Sequence, residues 1–245
     1  MSIATELERI IAAKEAIIQA IINKGVDVPE NAKIGELPAL IDEIGGGGGD
    51  TVVIGGKTYR TTTIGNQIWL AENLDLTWDG LTVGLYNSEL TSPAAVYYNN
   101  DALTYGWNGA RKCGLLYNYY AAAYIETNKS TLIPGWHLPT YDEWMDLVYD
   151  ESVDAFRPST QLNASNVSWA PTWGGADTYG FSALPGGFYC AVPEDGFDEM
   201  GEKTYFWTAT PYGNKIYDFY FDNSDISNEY SDKCYGYSIR LIKDT

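Results

Sequence analysis

The sequence is poor in the residues that most enzymes rely on: it holds 1 His and 3 Cys among 245 residues. A histidine-dependent triad or a metal centre with several histidine ligands would have to be built around His137 alone. Cys113, Cys190 and Cys234 are odd in number and show no CxxC spacing, so neither a zinc site nor a complete disulfide framework is signalled. Basic residues are scarce as well, with 15 Lys and Arg against 33 Asp and Glu and a formal net charge of -18. A surface that negative repels phosphate backbones and anionic lipid, which argues against nucleic acid and membrane surfaces as partners. No apolar run approaches the roughly 18 to 20 residues needed to span a bilayer. The opening MSIATELERI lacks the basic-then-apolar order of a signal peptide. The expectation is a soluble, acidic protein with no membrane insertion, no metal and no cofactor.

What the sequence has in excess is aromatic: 20 Tyr, 8 Trp and 7 Phe, or 14% of the chain. Tyr and Trp carry an apolar body with a polar tip and serve cores and recognition surfaces alike.

The glycine run Gly45–Gly49, followed by Asp50, carries more backbone entropy than a helix or strand interior tolerates, so residues 45–50 read as a linker. Before it, Ile3, Leu7, Ile10, Lys14, Ile17, Ile21 and Lys24 alternate spacings of four and three, a heptad seam that Ile11 and Ile18 widen. Gly25 fits a left-handed cap, and a second short helix is expected over about residues 35–44. So few residues cannot bury so many isoleucines alone, and isoleucine in the seam favours three or four strands over two. Residues 1–44 are therefore expected to form a helical oligomerisation segment, as a homotrimer.

Residues 51–245 read as a second domain of α+β class with an antiparallel sheet and two helices. Thr51–Ile54 and Lys57–Ile64 flank Gly55-Gly56, a hairpin signal, and Gly65-Asn66 turns the chain into Ile68-Trp69-Leu70. Residues 75–112 read as a loop-rich insert. Leu115–Tyr124 is expected to be a helix burying Leu116, Tyr119, Tyr120 and Ala123. Thr140 and Glu143 make a capping box that opens a helix carrying Trp144, Leu147 and Val148. Strands are expected near Gly180–Ala183 and over Tyr205–Thr210, Ile216–Phe221 and Tyr235–Ile242.

Several segments, in order along residues 51–244, resemble the Fibrobacter succinogenes major paralogous domain family. They are Gly56-Lys-Thr-Tyr-Arg-Thr-Thr-Thr-Ile-Gly-Asn-Gln-Ile-Trp-Leu-Ala-Glu-Asn-Leu74, Tyr98-Asn-Asn-Asp101, Gly114-Leu-Leu-Tyr-Asn-Tyr-Tyr-Ala-Ala122, Pro134-Gly-Trp-His-Leu-Pro-Thr140 with Glu143-Trp144, Gly180-Phe-Ser-Ala-Leu-Pro-Gly-Gly187, Tyr205-Phe-Trp-Thr-Ala-Thr210 and Gly236-Tyr-Ser-Ile-Arg-Leu-Ile-Lys-Asp244. The resemblance implies a C-type-lectin-like fold. The family often has a cysteine just before the Pro-x-Gly-Trp-His-Leu-Pro motif; here Leu132-Ile133 stand there, so a disulfide from Cys113 to that position is unavailable.

Folds of this kind include formylglycine-generating enzymes, which use a pair of cysteines. Cys190 and Cys234 are not flanked by that family's motifs, and His137 reads as a hydrogen-bonded core residue. No enzyme activity is expected. The acidic stretch Glu194–Glu199 lacks EF-hand spacing and reads as solvated surface.

Between Tyr205 and Ser238, Tyr, Asn, Asp and Ser dominate. Alternation puts Tyr217, Phe219 and Phe221 on one face of a strand and Ile216, Asp218 and Tyr220 on the other, and Asp222–Asp232 reads as an exposed loop. Rigid amphipathic rings and short polar groups suit an adaptable recognition surface. The expected ligand-binding residues are Tyr212, Asn214, Tyr217, Asp218, Tyr220, Asp222, Asn223, Ser224, Asp225, Ser227, Asn228, Tyr230 and Tyr235. The stretch also resembles proteins diversified by retroelements, whose adenine-directed mutagenesis turns Asn codons into Tyr, Asp or Ser codons. Gly25-Val-Asp-Val-Pro29 with Leu37-Pro-Ala-Leu-Ile41 resembles phage tail and baseplate segments. Together these imply a multivalent adhesin on a virion tail or bacterial exterior that binds a cell-surface protein or glycan receptor. The alternative is a bacterial surface or secreted structural module with a fixed partner.

Overall fold

A computed structural model describes residues 11, 14, 15, 17, 18, 33, 50–102, 113–148, 156, 177–191, 196–222 and 224–244. The chain divides into two compact units, Met1–Gly49 and Asp50–Thr245. In the first unit Ile11, Lys14, Glu15, Ile17 and Ile18 are helical, with Ile11 and Ile17 exposed. The remaining heptad positions, the second helix at 35–44 and the glycine run lie outside the described residues, as do residues 103–112, Glu194 and Asp195.

The second unit is α+β and rich in strand. β1 (Thr51–Ile54) and β2 (Lys57–Ile64) form the expected hairpin, with Ile54 opposite Lys57. Gly55 and Gly56 both take positive φ, 57° and 79°, as a two-residue hairpin turn of this hand requires. β3 (Gln67–Leu70) continues the meander, and β13 (Ile242–Lys243) and β7 (Trp136–His137) complete a sheet of order β1-β2-β3-β13-β7. Two strands of the insert, β4 (Thr82–Val83) and β5 (Ala94–Val96), form a small sheet with β6 (Leu116–Tyr117) beyond it. The second large sheet has the order β12-β11-β10-β8-β9, built from β8 (Gly186–Cys190), β9 (Gly196–Met200), β10 (Thr204–Tyr212), β11 (Lys215–Phe221) and β12 (Ile226–Ser231). Its pairings are antiparallel except β10 with β8.

The described residues of this unit hold three helices, α1 (Tyr119–Thr127), the short α2 (Lys129–Leu132) and α3 (Tyr141–Val148), where the sequence pattern gave two. α1 starts later than Leu115 because Leu116–Tyr117 pairs with β5 and the Asn118 side chain caps the helix by accepting from the Ala121 amide at 2.9 Å. Its buried face is Ala121, Ala122 and Ile125, while Tyr119, Tyr120 and Ala123 are half-buried. The capping box of α3 is formed: the Thr140 hydroxyl accepts from the Glu143 amide at 3.2 Å, and Glu143 accepts from the Thr140 amide at 2.8 Å.

Other expectations shift. Residues 181–185 are not a strand: Ser182 has φ 54°, and its amide and hydroxyl both bond to Asp177 at 2.8 and 2.7 Å, which holds the chain in a turn. The strand comes later, at β8. Residues 235–242 are not one strand: Gly236, Tyr237 and Ser238 make isolated bridges with Tyr189, Tyr117 and Phe206, and Ile242 opens β13. Asp222–Asp232 is not one exposed loop but a turn followed by the edge strand β12.

One core lies between α3 and the second sheet, where Trp144 stacks on Phe219 at 5.4 Å among Trp69, Phe156, Phe181, Phe206 and Phe221. Another lies on the opposite face of that sheet, where Trp207 packs with Tyr117, Ile125, Ile216, Tyr237 and Ile239. Fully buried Arg240 ties the carboxyl-terminal segment inward: its guanidinium donates to Asn73 Oδ1 at 2.6 Å and the Leu70 carbonyl at 3.1 Å, and lies 4.3 Å over the Phe181 ring. Ser238 is held on β10 by two backbone bonds, its amide to Tyr205 at 3.0 Å and its carbonyl from Trp207 at 3.2 Å.

Candidate ligand-binding faces of the second sheet

β10 turns into β11 through Gly213-Asn214, where Gly213 takes φ 59°. The register sets Tyr205 opposite Tyr220, Phe206 opposite Phe219 and Trp207 opposite Asp218. β11 then pairs with β12, with Tyr217 opposite Tyr230, Asp218 opposite Glu229, Phe219 opposite Asn228 and Tyr220 opposite Ser227. Because side chains alternate along a strand, the expected ligand residues do not form one surface. They divide between two faces.

On the face that packs against α3, Phe219 and Phe221 are buried, and the strand end carries a cluster of tyrosines. The Tyr217 ring is 4.7 Å from Tyr141 of α3 and 5.1 Å from Tyr212, and Tyr212 is 4.7 Å from Tyr230. Tyr212 and Tyr230 are each 49% exposed, the outer rings of the cluster. Lys215 Nζ lies 5.6 Å over the Tyr230 ring and 3.8 Å from Asp232 Oδ2. Asn214 is exposed at the turn and Asn228 half-buried beside the cluster.

The opposite face is aromatic too but closes on a carboxylate. The Tyr205 ring stacks on Tyr237 at 4.9 Å and lies 5.6 Å from Tyr220 and 5.2 Å from Phe188, while Tyr235 lies 5.8 Å from Tyr237. The Tyr205 hydroxyl donates to Glu199 Oε2 at 2.5 Å. Burial, then this bond to Glu199, raises the Tyr205 phenol. Tyr235 is pushed up to about 12 by burial and by its bond to Cys190. Lys203 Nζ sits 5.5 Å over the Tyr220 ring and 3.0 Å from Glu199 Oε1.

Asp218 is not on the surface: it is 0% exposed, between this half-buried aromatic face and the core around Trp207. The reason is its register position, opposite buried Trp207 on β10 and beneath the Tyr237 segment. Burial pushes its carboxyl up to about 7; the Ser231 hydroxyl opposes that rise and Glu229 adds to it.

The turn between β11 and β12 uses its polar groups internally. Asp222 Oδ1 accepts from the Ser224 amide at 2.7 Å, the Ser224 hydroxyl at 3.0 Å and the Asp225 amide at 2.9 Å. Burial pushes the Asp222 carboxyl up, but those bonds together with Lys203 hold it below its ordinary value. Asp225 Oδ1 accepts from the Ile226 amide at 2.9 Å. Asn223 lies outside the described residues.

Sequence reasoning overlooked Tyr141, Phe188, Glu199, Lys203 and Glu229 as neighbours of these faces. Glu229 was accessible in principle, since pairing β11 with the polar stretch after it sets Glu229 opposite Asp218. Tyr141 and Phe188 come from distant segments that no local pattern joins to the hairpins.

His137 is hydrogen-bonded as expected, Nε2 to Glu143 Oε1 at 2.9 Å and Nδ1 to Asp244 Oδ1 at 2.7 Å, but it is half-buried at the surface rather than in the core. Burial pushes the Glu143 carboxyl up, but bonds from the Thr140 amide and hydroxyl and from His137 hold it below its ordinary value. Among the described residues no three His, Cys, Asp or Glu side chains gather as a metal site.

The family model described as Fibrobacter succinogenes major domain matches residues 62–243. No curated protein and no solved structure matches the chain. With most of its length matched, from β2 to β13, the chain belongs to the Fibrobacter succinogenes major domain family.

Proposed function

We propose that the protein is a receptor-binding display protein, adhesin-like, that presents the β10–β12 hairpins to a cell-surface protein or glycan. The observation that carries this reading is the tyrosine cluster Tyr212–Tyr217–Tyr230, where rings held 4.7 to 6.5 Å apart stay open to solvent on their outer side. Rings fixed by mutual packing lose little freedom on binding, and Asn214, Lys215 and Asn228 beside them supply hydrogen bonds.

The display domain is C-type-lectin-like. Closure of the first sheet by the carboxyl-terminal strand β13 and a mainly antiparallel second sheet are compatible with that fold. The Tyr, Asn, Asp and Ser content of residues 212–235 fits a surface diversified by a retroelement. Exposed Ile11 and Ile17, both helical, fit a homotrimer through residues 1–44, and three copies raise avidity without stronger single contacts. A virion tail or bacterial exterior is the location, and no catalytic role is part of the reading.

Sequencing codons 205–238 across the native population tests it. Substitutions at template adenines that fall on Tyr212, Tyr217, Tyr220, Ser227, Asn228 and Tyr230 and spare Phe219 and Phe221 are expected. A uniform sequence would return the protein to the second reading, a surface or secreted structural module with a fixed partner. That reading draws its support from the Asp222–Asp225 turn, whose side chains serve the turn itself. Light scattering on the full chain is expected to give a trimer mass.

A further inference from the structure

A buried carboxylate ordinarily has a cation or several N–H donors beside it, since desolvating a lone charge is costly. Asp218 has neither. It is 0% exposed, and its polar support is the Ser231 hydroxyl, which falls short of full hydrogen-bond geometry to either carboxylate oxygen. The groups that face it are Tyr205 and Trp207 of β10, Glu229 and Ser231 of β12, and Tyr237 of the carboxyl-terminal segment. None of them is basic. The Ser231 hydroxyl, 2.9 Å from the Tyr237 hydroxyl, favours the charged carboxylate, and Glu229 adds a like charge that opposes it.

On the same face of the sheet as this carboxylate are the half-buried rings of Tyr205 and Tyr220, 5.6 Å apart. The same face already attracts an ammonium group, because Lys203 Nζ stands 5.5 Å above the Tyr220 ring. Ring faces beside a carboxylate recognise a cationic side chain, through the ring quadrupole and then through the counter-charge. At long range the net charge of -18 draws basic surfaces toward the domain.

We propose that the Tyr205–Tyr220 face binds a lysine or arginine side chain of a protein partner, with Asp218 as the counter-ion at its base. The proposal rests on the receptor-binding reading and names the chemistry of one of its two faces. The entering cation displaces the Tyr205 and Tyr220 rings sideways and meets the carboxylate. Since burial holds the Asp218 carboxyl up to about 7, a neutral solution of the free protein carries it partly protonated, and binding releases that proton to solvent. Affinity therefore rises with pH, by about tenfold between pH 6 and pH 8, and levels off above that.

The test is titration of the full chain with Nα-acetyl-lysine methylamide and Nα-acetyl-arginine methylamide, with the norleucine analogue as the uncharged control. The Asp218 carboxyl carbon resonance reports the site. Binding of the cationic amides alone, about tenfold tighter at pH 8 than at pH 6, is expected. Asp218→Asn should lose tenfold or more in affinity together with the pH dependence, whereas Glu89→Gln, which removes an equal charge at an exposed site, should change affinity less than twofold. Equal binding of the norleucine analogue, equal losses in both variants, or an Asp218 resonance that the cationic amides leave unmoved would overturn the proposal. The wild-type pH dependence decides the matter even if Asp218→Asn fails to fold. Diversified tyrosine codons with no amide binding would sink this inference and leave the receptor reading standing; amide binding with a uniform gene would do the reverse.

Discussion

Residues Phe219 and Tyr220 are neighbours in the chain and opposites in the molecule. Phe219 looks into the core under α3, stacked on Trp144, while Tyr220 looks out beside Tyr205 on a face that is only half-buried. The tyrosine cluster around Tyr217 and the rings around Tyr205 are thus two aromatic faces back to back on one pair of hairpins. One sits at the edge of the aromatic core under α3 and the other on the face that holds the buried Asp218 carboxylate. A Tyr-rich composition is common to both, so composition alone says nothing about which rings are scaffold and which are surface. Register decides it.

The largest effect should come from deleting the packed side. Phe219→Ala is expected to cost about 3–5 kcal/mol in urea unfolding of the full chain, against about 1 kcal/mol or less for Tyr220→Ala; similar losses would erase the distinction between the faces. The carboxylate side should show itself through pH. With its carboxyl raised to about 7 in the fold from an ordinary 3.8, Asp218 binds a proton more tightly folded than unfolded. Stability contributed by this site therefore falls as pH rises from about 4 to about 7 and levels off above, by up to about 4 kcal/mol. Urea melts over this range should show the fall in the wild type and its absence in Asp218→Asn. Thr140→Ala removes the cap that positions Tyr141 under Tyr217 and should lower stability by about 1 kcal/mol. The smallest effect belongs to the outer rings: Tyr212→Ala and Tyr230→Ala should each shift stability by no more than about 0.5 kcal/mol. Larger losses in these two would mark the cluster as structural.

Much of this arrangement is legible in the sequence. Gly55-Gly56 announces the first hairpin, Thr140 and Glu143 announce α3, and the alternation from Ile216 to Phe221 assigns the two faces of β11 correctly. The failures have local physical causes. β12 escapes because an edge strand with one partner tolerates Ser, Asn and Glu, which read as loop. Asp218 reads as a surface acid because carboxylates are almost never buried without a partner. Ser182 hides a left-handed turn inside an apolar run, so the strand is placed too early. Tyr141, Phe188 and Tyr237 join the hairpins only through tertiary packing, which no window of the sequence contains.

The two backbone bonds that hold Ser238 on β10 have a consequence for evolution. They pin the chain just before and just after everything from Thr208 to Tyr237, so the hairpins behave as a loop whose ends are already brought together. A longer β11–β12 turn then adds a closure penalty that grows only with the logarithm of its length, about 0.6 kcal/mol per doubling. The size of this hairpin region can therefore change without renegotiating the fold that carries it.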